Sequence, residues 1–332
     1  MAIPKSAKQG ETDQRGPTDQ KRYSVNGDPV QHIAFIKVHK AASTTVQNIF
    51  LRYGYQHDLV FALPAGKDPA GVTAFTKNKI RTLPENRTID IFCIHVRYNK
   101  HDFSAMLPSD TLYIGIVREP FRQFQSNIQF LRHKRWINIP CNKLPVSQYL
   151  SRNEKYVKIN GRVRLPVVYN AMSYDFGFPV ELFWKSDYNA MQDYLLGLNE
   201  EFDIVLIMEY LDESIVLMRR HLNWDLKYVL YGKLNALKNP DKELVFGPDE
   251  EKLYQNWAKL DYALYYFFLQ KHKERMQNQP PDFFEEVAYF RKTRINLVKK
   301  TQENTYMSRS PYPIAIKLGG NYEQKKDPHK DS

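Results

Sequence analysis

Cysteine is nearly absent from this chain: Cys93 and Cys141 are the two among 332 residues. That excludes a disulfide scaffold and a cysteine-built zinc site and leaves room for one bridge. Long apolar runs are missing too. No stretch reaches the ~18 apolar residues of a membrane span, and the polar start from Met1 to Asp28 lacks the apolar segment of a secretory signal, so the chain reads as soluble. Acidic residues are outnumbered, 37 against 48 Lys and Arg. The net charge of +11 favours anionic partners such as nucleotides, nucleic acid, sulfated sugars or a membrane surface, without choosing among them. Glycine does not occur between Phe35 and Tyr53, which excludes the G-x-x-x-x-G-K-[ST] loop of metal-dependent NTPases from the region where it would matter. Asn86-Arg87-Thr88 is a glycosylation sequon, a match close to chance in a chain with this much asparagine.

What is present suffices for a core: 42% of residues are hydrophobic and 14% aromatic. Residues 1–31 are polar and read as a disordered arm or stalk, 32–304 as one folded domain, and 305–332 as a flexible tail. Four apolar runs predict buried strands: Ile33 to Val38, Ile89 to Ile94, Leu112 to Val117 and Ile204 to Met208. Helical periodicity follows at Thr44 to Tyr55, Glu119 to His133 and Asp212 to Leu222. Two longer helical segments, Asp249 to Met276 and Asp282 to Lys300, are separated by Pro280-Pro281. The fold class is α/β: a central, mostly parallel sheet flanked by helices, with a C-terminal helical part.

The joint after the first strand, Lys37-Val38-His39-Lys40-Ala41-Ala42-Ser43-Thr44-Thr45, puts basic and hydroxyl residues where a helix begins. In a parallel sheet, ligands bind beyond the carboxyl ends of strands, and a helix N-terminus there offers free N–H groups to an anion. The stretch therefore reads as a phosphate cradle; the plainer reading is a Ser43 or Thr44 helix cap beside a solvated Lys40. A second strand leads into Arg118, with Ser126 two helical turns further on, so the pair is placed to hold a second phosphate. A kinase would want a Mg²⁺-holding carboxylate after its second strand. Here His95 and Arg118 follow the strands instead.

With these residues in view, the chain resembles the galactose-3-O-sulfotransferase family of membrane-bound carbohydrate sulfotransferases. The blocks HKAASTTVQNIFLRYGYQHDLVFALP, IFCIHVRY, IVREPFRQFQS and EYLDESIVLMRRHLNWDLKYVLYGKLNA carry that resemblance in order from about Ile33 to Ala236. It implies a P-loop-like sulfotransferase fold over 32–304 and 3′-phosphoadenosine-5′-phosphosulfate (PAPS) as sulfuryl donor. It implies transfer to the 3-hydroxyl of a β-linked galactose on glycolipid or glycoprotein. The donor set it implies is Lys37, Lys40, Ala42, Ser43, Thr44 and Thr45 for the phosphosulfate, with Arg118 and Ser126 for the 3′-phosphate. Family members are type II Golgi membrane proteins, whereas nothing before His32 could span a bilayer. Val38 and Ala41 stand where the family tends to carry threonine, and Glu119 stands for the usual aspartate.

A sugar hydroxyl is a poor nucleophile until deprotonated, and His39 and His95, each near a strand's carboxyl end, are the candidate general bases. Lys40 would stabilise the leaving nucleotide. Arg97, His95, Lys233 and Asn235 are candidate acceptor or donor contacts, and Trp224 is read as core rather than a sugar platform. The scheme requires no metal. The alternatives are a non-catalytic polyanion- or carbohydrate-binding protein on the same fold, or a nucleotide-dependent kinase. Dispersed charge and the lack of a recognisable module speak against a nucleic-acid partner.

Overall fold

The computed structural model describes residues 27–65, 75–133, 157–159, 162–164, 169–232, 244 and 246–304. Most of the expected N-terminal arm, the C-terminal tail, Cys141, Lys233 and Asn235 lie outside the described residues. All four expected strands form, as β1 (Ile33–Phe35), β2 (Ile91–Phe92), β3 (Leu112–Val117) and, after a short hairpin of β4 (Val157–Ile159) and β5 (Arg162–Arg164), β6 (Ile204–Ile207). They make one parallel sheet in the order β2-β1-β3-β6. β1, β2 and β6 are shorter than their apolar runs while β3 fills its own, and the Ile36 N–H still bonds the Ile114 carbonyl at 2.8 Å beyond the end of β1.

The strand order decides where a ligand fits. From β1 the chain passes to β2 on one side and then returns to place β3 on the other. The carboxyl ends of β1 and β3 therefore flank a topological switch point, where the two following loops diverge and leave a crevice.

Helix α1 (Ser43–Gln56) buries Val46, Ile49, Phe50 and Tyr53, a spacing of three and four that sets one face on the sheet. Between β2 and β3 lies α2 (Lys100–Met106), started by Asn99, whose side chain accepts the Asp102 N–H at 3.0 Å. Helix α3 (Pro120–His133) follows β3 with proline in its first turn. Then come α4 (Ala171–Asp175), α5 (Tyr188–Glu201), α6 (Leu211–Leu222) and α7 (Leu226–Val229). The expected helix over Asp249 to Met276 is two: α8 (Pro248–Trp257) and α9 (Lys259–Gln277) break at Ala258, whose φ of −93° and ψ of 37° leave the helical region. The last helix, α10 (Asp282–Asn304), is clamped to α6 by Arg220 on Glu286 at 2.6 Å and Arg291 on Glu213 at 2.5 Å.

The main core lies between α1, the sheet and α9. Gly115 in β3 is required there, because a Cβ would sit 2.6 Å from the Phe176 ring. Trp224 is core, as its spacing suggested: it is 1% exposed, stacks on Tyr53 at 3.5 Å, and donates to the Val30 carbonyl at 2.9 Å. Packing therefore begins two residues before His32. A second apolar cluster, including Phe124, Tyr254 and Tyr169, joins α3 to α8.

Candidate active site

The loop leaving β1 turns sharply without glycine, with Lys40 at φ 59° and Ala42 at φ 60°. Residues with a Cβ adopt that left-handed region only where their surroundings hold them. The hold here is a set of side-chain hydrogen bonds to four consecutive carbonyls. The Lys37 carbonyl accepts from His95 Nδ1 at 2.7 Å, Val38 from the Ser43 hydroxyl at 2.6 Å, His39 from Gln123 Nε2 at 2.9 Å, and Lys40 from Arg118 Nη1 at 3.1 Å. The donors come from the end of β2, the first turn of α1, helix α3 and the end of β3. With its carbonyls drawn to these partners, the loop leaves the positive N-terminus of α1, over Ser43, Thr44 and Thr45, to face an anion. The Ser43 hydroxyl proton is engaged inside the loop.

Three cationic or polar residues named from the sequence meet on the α3 side. The Lys40 ammonium lies 4.5 Å from the centroid of the Phe130 ring, and Ser126 is one turn earlier on the same face of α3. Burial, and next the charge of Arg118, lower the Lys40 pKa, so two cations share this corner. The Arg118 Nε is buried with no hydrogen-bond partner among the described residues, in a side chain whose Nη1 is already fixed. A buried guanidinium with an unfilled donor suits an oxygen-rich anion. Lys37, at the loop's other end, has its pKa lowered by burial, partly offset by Cys93.

His39 and His95 stack with ring centroids 4.1 Å apart and planes 20° from parallel. A carbonyl only accepts, so the His95 Nδ1 bonded to Lys37 carries the proton and its Nε2 holds a lone pair. Burial, then the charge of His39 and Lys37, push its pKa down to about 2, so His95 is neutral. His39 differs. Its Nδ1 lies 2.9 and 3.0 Å from the two oxygens of Asp175, which also accepts the His39 main-chain N–H at 2.8 Å. Burial lowers the His39 pKa, but the charge and hydrogen bond of Asp175 outweigh it, and the net shift is upward. Asp175 is 6% exposed at its side chain and His39 43%, so the carboxylate is inside and the imidazole reaches the opening. A carboxylate on Nδ1 fixes the tautomer that bears its lone pair on Nε2, the arrangement of a general base.

Asp175 ends α4, and that five-residue helix is itself held from afar. The buried Asp261 of α9 accepts the Ser173 hydroxyl and N–H, both at 2.7 Å, and the Met172 N–H at 3.3 Å. The Tyr98 N–H binds the Asp175 carbonyl at 2.9 Å. Next comes Gly177 at φ 79°, where a Cβ would lie 2.2 Å from the Tyr98 carbonyl oxygen. Arg97 spends its Nη2 on the carbonyls of Gly177 and Phe178, at 3.3 and 2.6 Å, with its guanidinium 5.1 Å from the Tyr174 ring centroid. In this structure Arg97 therefore secures the turn that carries Asp175.

A profile described as galactose-3-O-sulfotransferase matches residues 3–310. The chain belongs to that family. It is 32% identical over 287 residues to galactose-3-O-sulfotransferase 2 of Mus musculus, covering 82% of this chain and 70% of that protein. It is 30% identical over 247 residues to galactosylceramide sulfotransferase of Homo sapiens, covering 72% and 56%, and 31% identical over 242 residues to galactose-3-O-sulfotransferase 3 of Mus musculus, covering 71% and 55%. The chain thus spans between about half and 70% of the length of these relatives. Membership places it among carbohydrate sulfotransferases, on the α/β fold expected.

Against that family identity, the residues named from sequence fall into three groups. His39, Lys40, His95, Arg118 and the start of α1 converge on the crevice, with Lys37 and Ser126 at its flanks. Arg97 faces the α4 turn, and Lys233 and Asn235 lie outside the described residues. Asp175 and Gln123 were missed. Asp175 carries a weak signal in Asp-Phe-Gly, an acid set before a glycine turn; Gln123 carries none beyond its place in the first turns of α3.

Proposed function

We propose that this sulfotransferase uses PAPS to sulfate the 3-hydroxyl of a β-linked galactose on a glycolipid or glycoprotein. The observation that carries the reading is the His39–Asp175 pair standing beside a loop whose four consecutive carbonyls, from Lys37 to Lys40, are all engaged by side-chain donors. The unfilled Arg118 Nε and the neighbouring Lys40 ammonium fit the anionic donor. Lys40 and the α1 N-terminus would hold its phosphosulfate, and Arg118 with Ser126 its 3′-phosphate. When bound, the donor supplies the sulfuryl group and a leaving nucleotide.

The chain's own residues do the rest. His39 takes the proton of the sugar hydroxyl on Nε2, and Asp175 stabilises the imidazolium that results. His95, neutral and stacked on His39, offers its Nε2 lone pair to a neighbouring hydroxyl of the sugar and so orients the ring. Because the His39 pKa is raised, its basic form grows as pH rises through a value above the ordinary 6.5, so transfer should rise over that range. The family resemblance implies work in the Golgi. Among the described residues no helix is long and apolar enough to cross a membrane.

The test is transfer of ³⁵S from labelled PAPS to a panel of β-galactosides, beside Lys40→Ala and His39→Ala controls. Label on the 3-hydroxyl of galactose that disappears in both controls is the expected result. Nucleotide binding without transfer to any galactoside would leave a binding protein on an enzyme fold, and no nucleotide binding would end the reading.

A further inference from the structure

A cavity of about 170 Å³ opens at the other end of α4 from Asp175. Its wall includes Asn170, which precedes α4, so the five residues of that helix carry the chain roughly 7 Å along the axis from the cavity wall to Asp175. Trp184 faces it from the segment before α5 and Tyr188 from that helix's first residue, and they remain 38% and 63% exposed, while Trp257 faces it from the end of α8. Large aromatic surface left at the mouth of a cavity is an uncommon use of such side chains, which a core would otherwise absorb.

The polar lining narrows the chemistry. Asp187, Asn256, Lys185 and Lys259 place an acceptor, an amide and two ammonium donors around the rings. The charges are of both signs here, unlike the cationic corner of Lys40 and Arg118, so the cavity is not built for a polyanion. A ring with one apolar C–H face and a rim of hydroxyls fits both features: the face lies on an aromatic side chain and the rim meets mixed donors and acceptors.

We infer that this aromatic cavity binds a neutral sugar of the acceptor glycan, the unit attached to the galactose whose hydroxyl faces His39. This rests on the proposed sulfotransferase reading for its role, but the binding itself does not require turnover. Asn170 ties the two places mechanically. It donates to the Trp257 carbonyl at 3.2 Å and accepts the Asp261 N–H at 3.0 Å, and Asp261 in turn holds the α4 backbone. A sugar seated against Trp257 is thus referenced to the same buried carboxylate that positions Asp175.

The experiment uses the full chain and two readouts. The first is saturation-transfer NMR with lactose and with methyl β-galactoside, on the wild type and on Trp184→Ala, Tyr188→Ala and Trp184→Phe. The second is the affinity for 3′-phosphoadenosine 5′-phosphate and, where transfer occurs, kcat and KM. The disaccharide should bind better than the monosaccharide, and either alanine change should weaken it about tenfold, as expected for one lost ring contact. Trp184→Phe should recover most of the loss, with nucleotide affinity and kcat unchanged. A fall in nucleotide affinity would make this the adenine site and overturn the inference, as would disaccharide binding indifferent to both alanine variants. Wild type that binds lactose through these rings yet transfers no sulfate would refute the enzymatic reading and leave this one standing.

Discussion

The β1–α1 loop and the α4 turn meet at His39, and both are held by distant residues, yet they differ in where their chemistry sits. The loop is written in nine consecutive residues, and its chemistry sits on the residues that build it. The α4 turn contributes one carboxylate, and nearly everything that positions it comes from elsewhere: Asp261 from 86 positions on in the chain, Tyr98 and Arg97 from the end of β2. The anion site takes its backbone and Lys40 from one short stretch, although distant side chains hold that stretch in shape. A base whose tautomer must be fixed needs a second wall, and in this fold that wall is non-local.

The difference can be broken from either side, most severely at Asp175. Asp175→Asn keeps the shape but no longer stabilises the imidazolium, and kcat should fall by about 10³–10⁴ while nucleotide affinity stays as it was. Equal losses in both would show the turn to be part of the donor site. Lys40→Ala should do the reverse, weakening 3′-phosphoadenosine 5′-phosphate by about 10–100-fold, the size of one charged hydrogen bond. Isothermal titration would expose a Lys40 that merely rests on Phe130, because affinity would then hardly move.

Gly177→Ala strains a left-handed residue against the Tyr98 carbonyl, so it should cost about 1–3 kcal/mol of stability and lower kcat without touching nucleotide affinity. Denaturant melts beside binding curves would check that separation; an unchanged midpoint would mean that the turn tolerates the methyl. The smallest effect is the most pointed. The rising limb of kcat/KM should lie above pH 6.5 in the wild type, and in whatever activity Asp175→Asn retains it should move to lower pH, because burial then acts on His39 without its carboxylate. A limb that stays put would give the base to another group.

The same contrast explains what could be read before the structure. The four strands and helices α1, α3 and α6 announce themselves through apolar runs and periodicity. His39, Lys40 and Arg118 are marked by standing at strand ends. Asp175 is not, since its meaning depends on a contact 136 positions away, and no spacing encodes that distance. Arg97 shows the converse: it stands two residues after His95 in sequence, but its Nη2 turns to the carbonyls of 177 and 178. Residues this close together after a strand can face different walls, and sequence alone does not say which. The break at Ala258 was hidden because no glycine or proline marks it, and the Asn170 side chain that bonds the Trp257 carbonyl and the Asp261 N–H there comes from far away in the chain.

The four engaged carbonyls have a consequence for the dynamics of the free enzyme. A surface loop ordinarily exchanges its amide hydrogens through small local openings. This loop has no independent way to open, since freeing it means releasing α1, α3 and the ends of β2 and β3 together. The His39 amide, which Asp175 holds at 2.8 Å, should therefore exchange at the rate of the sheet behind it.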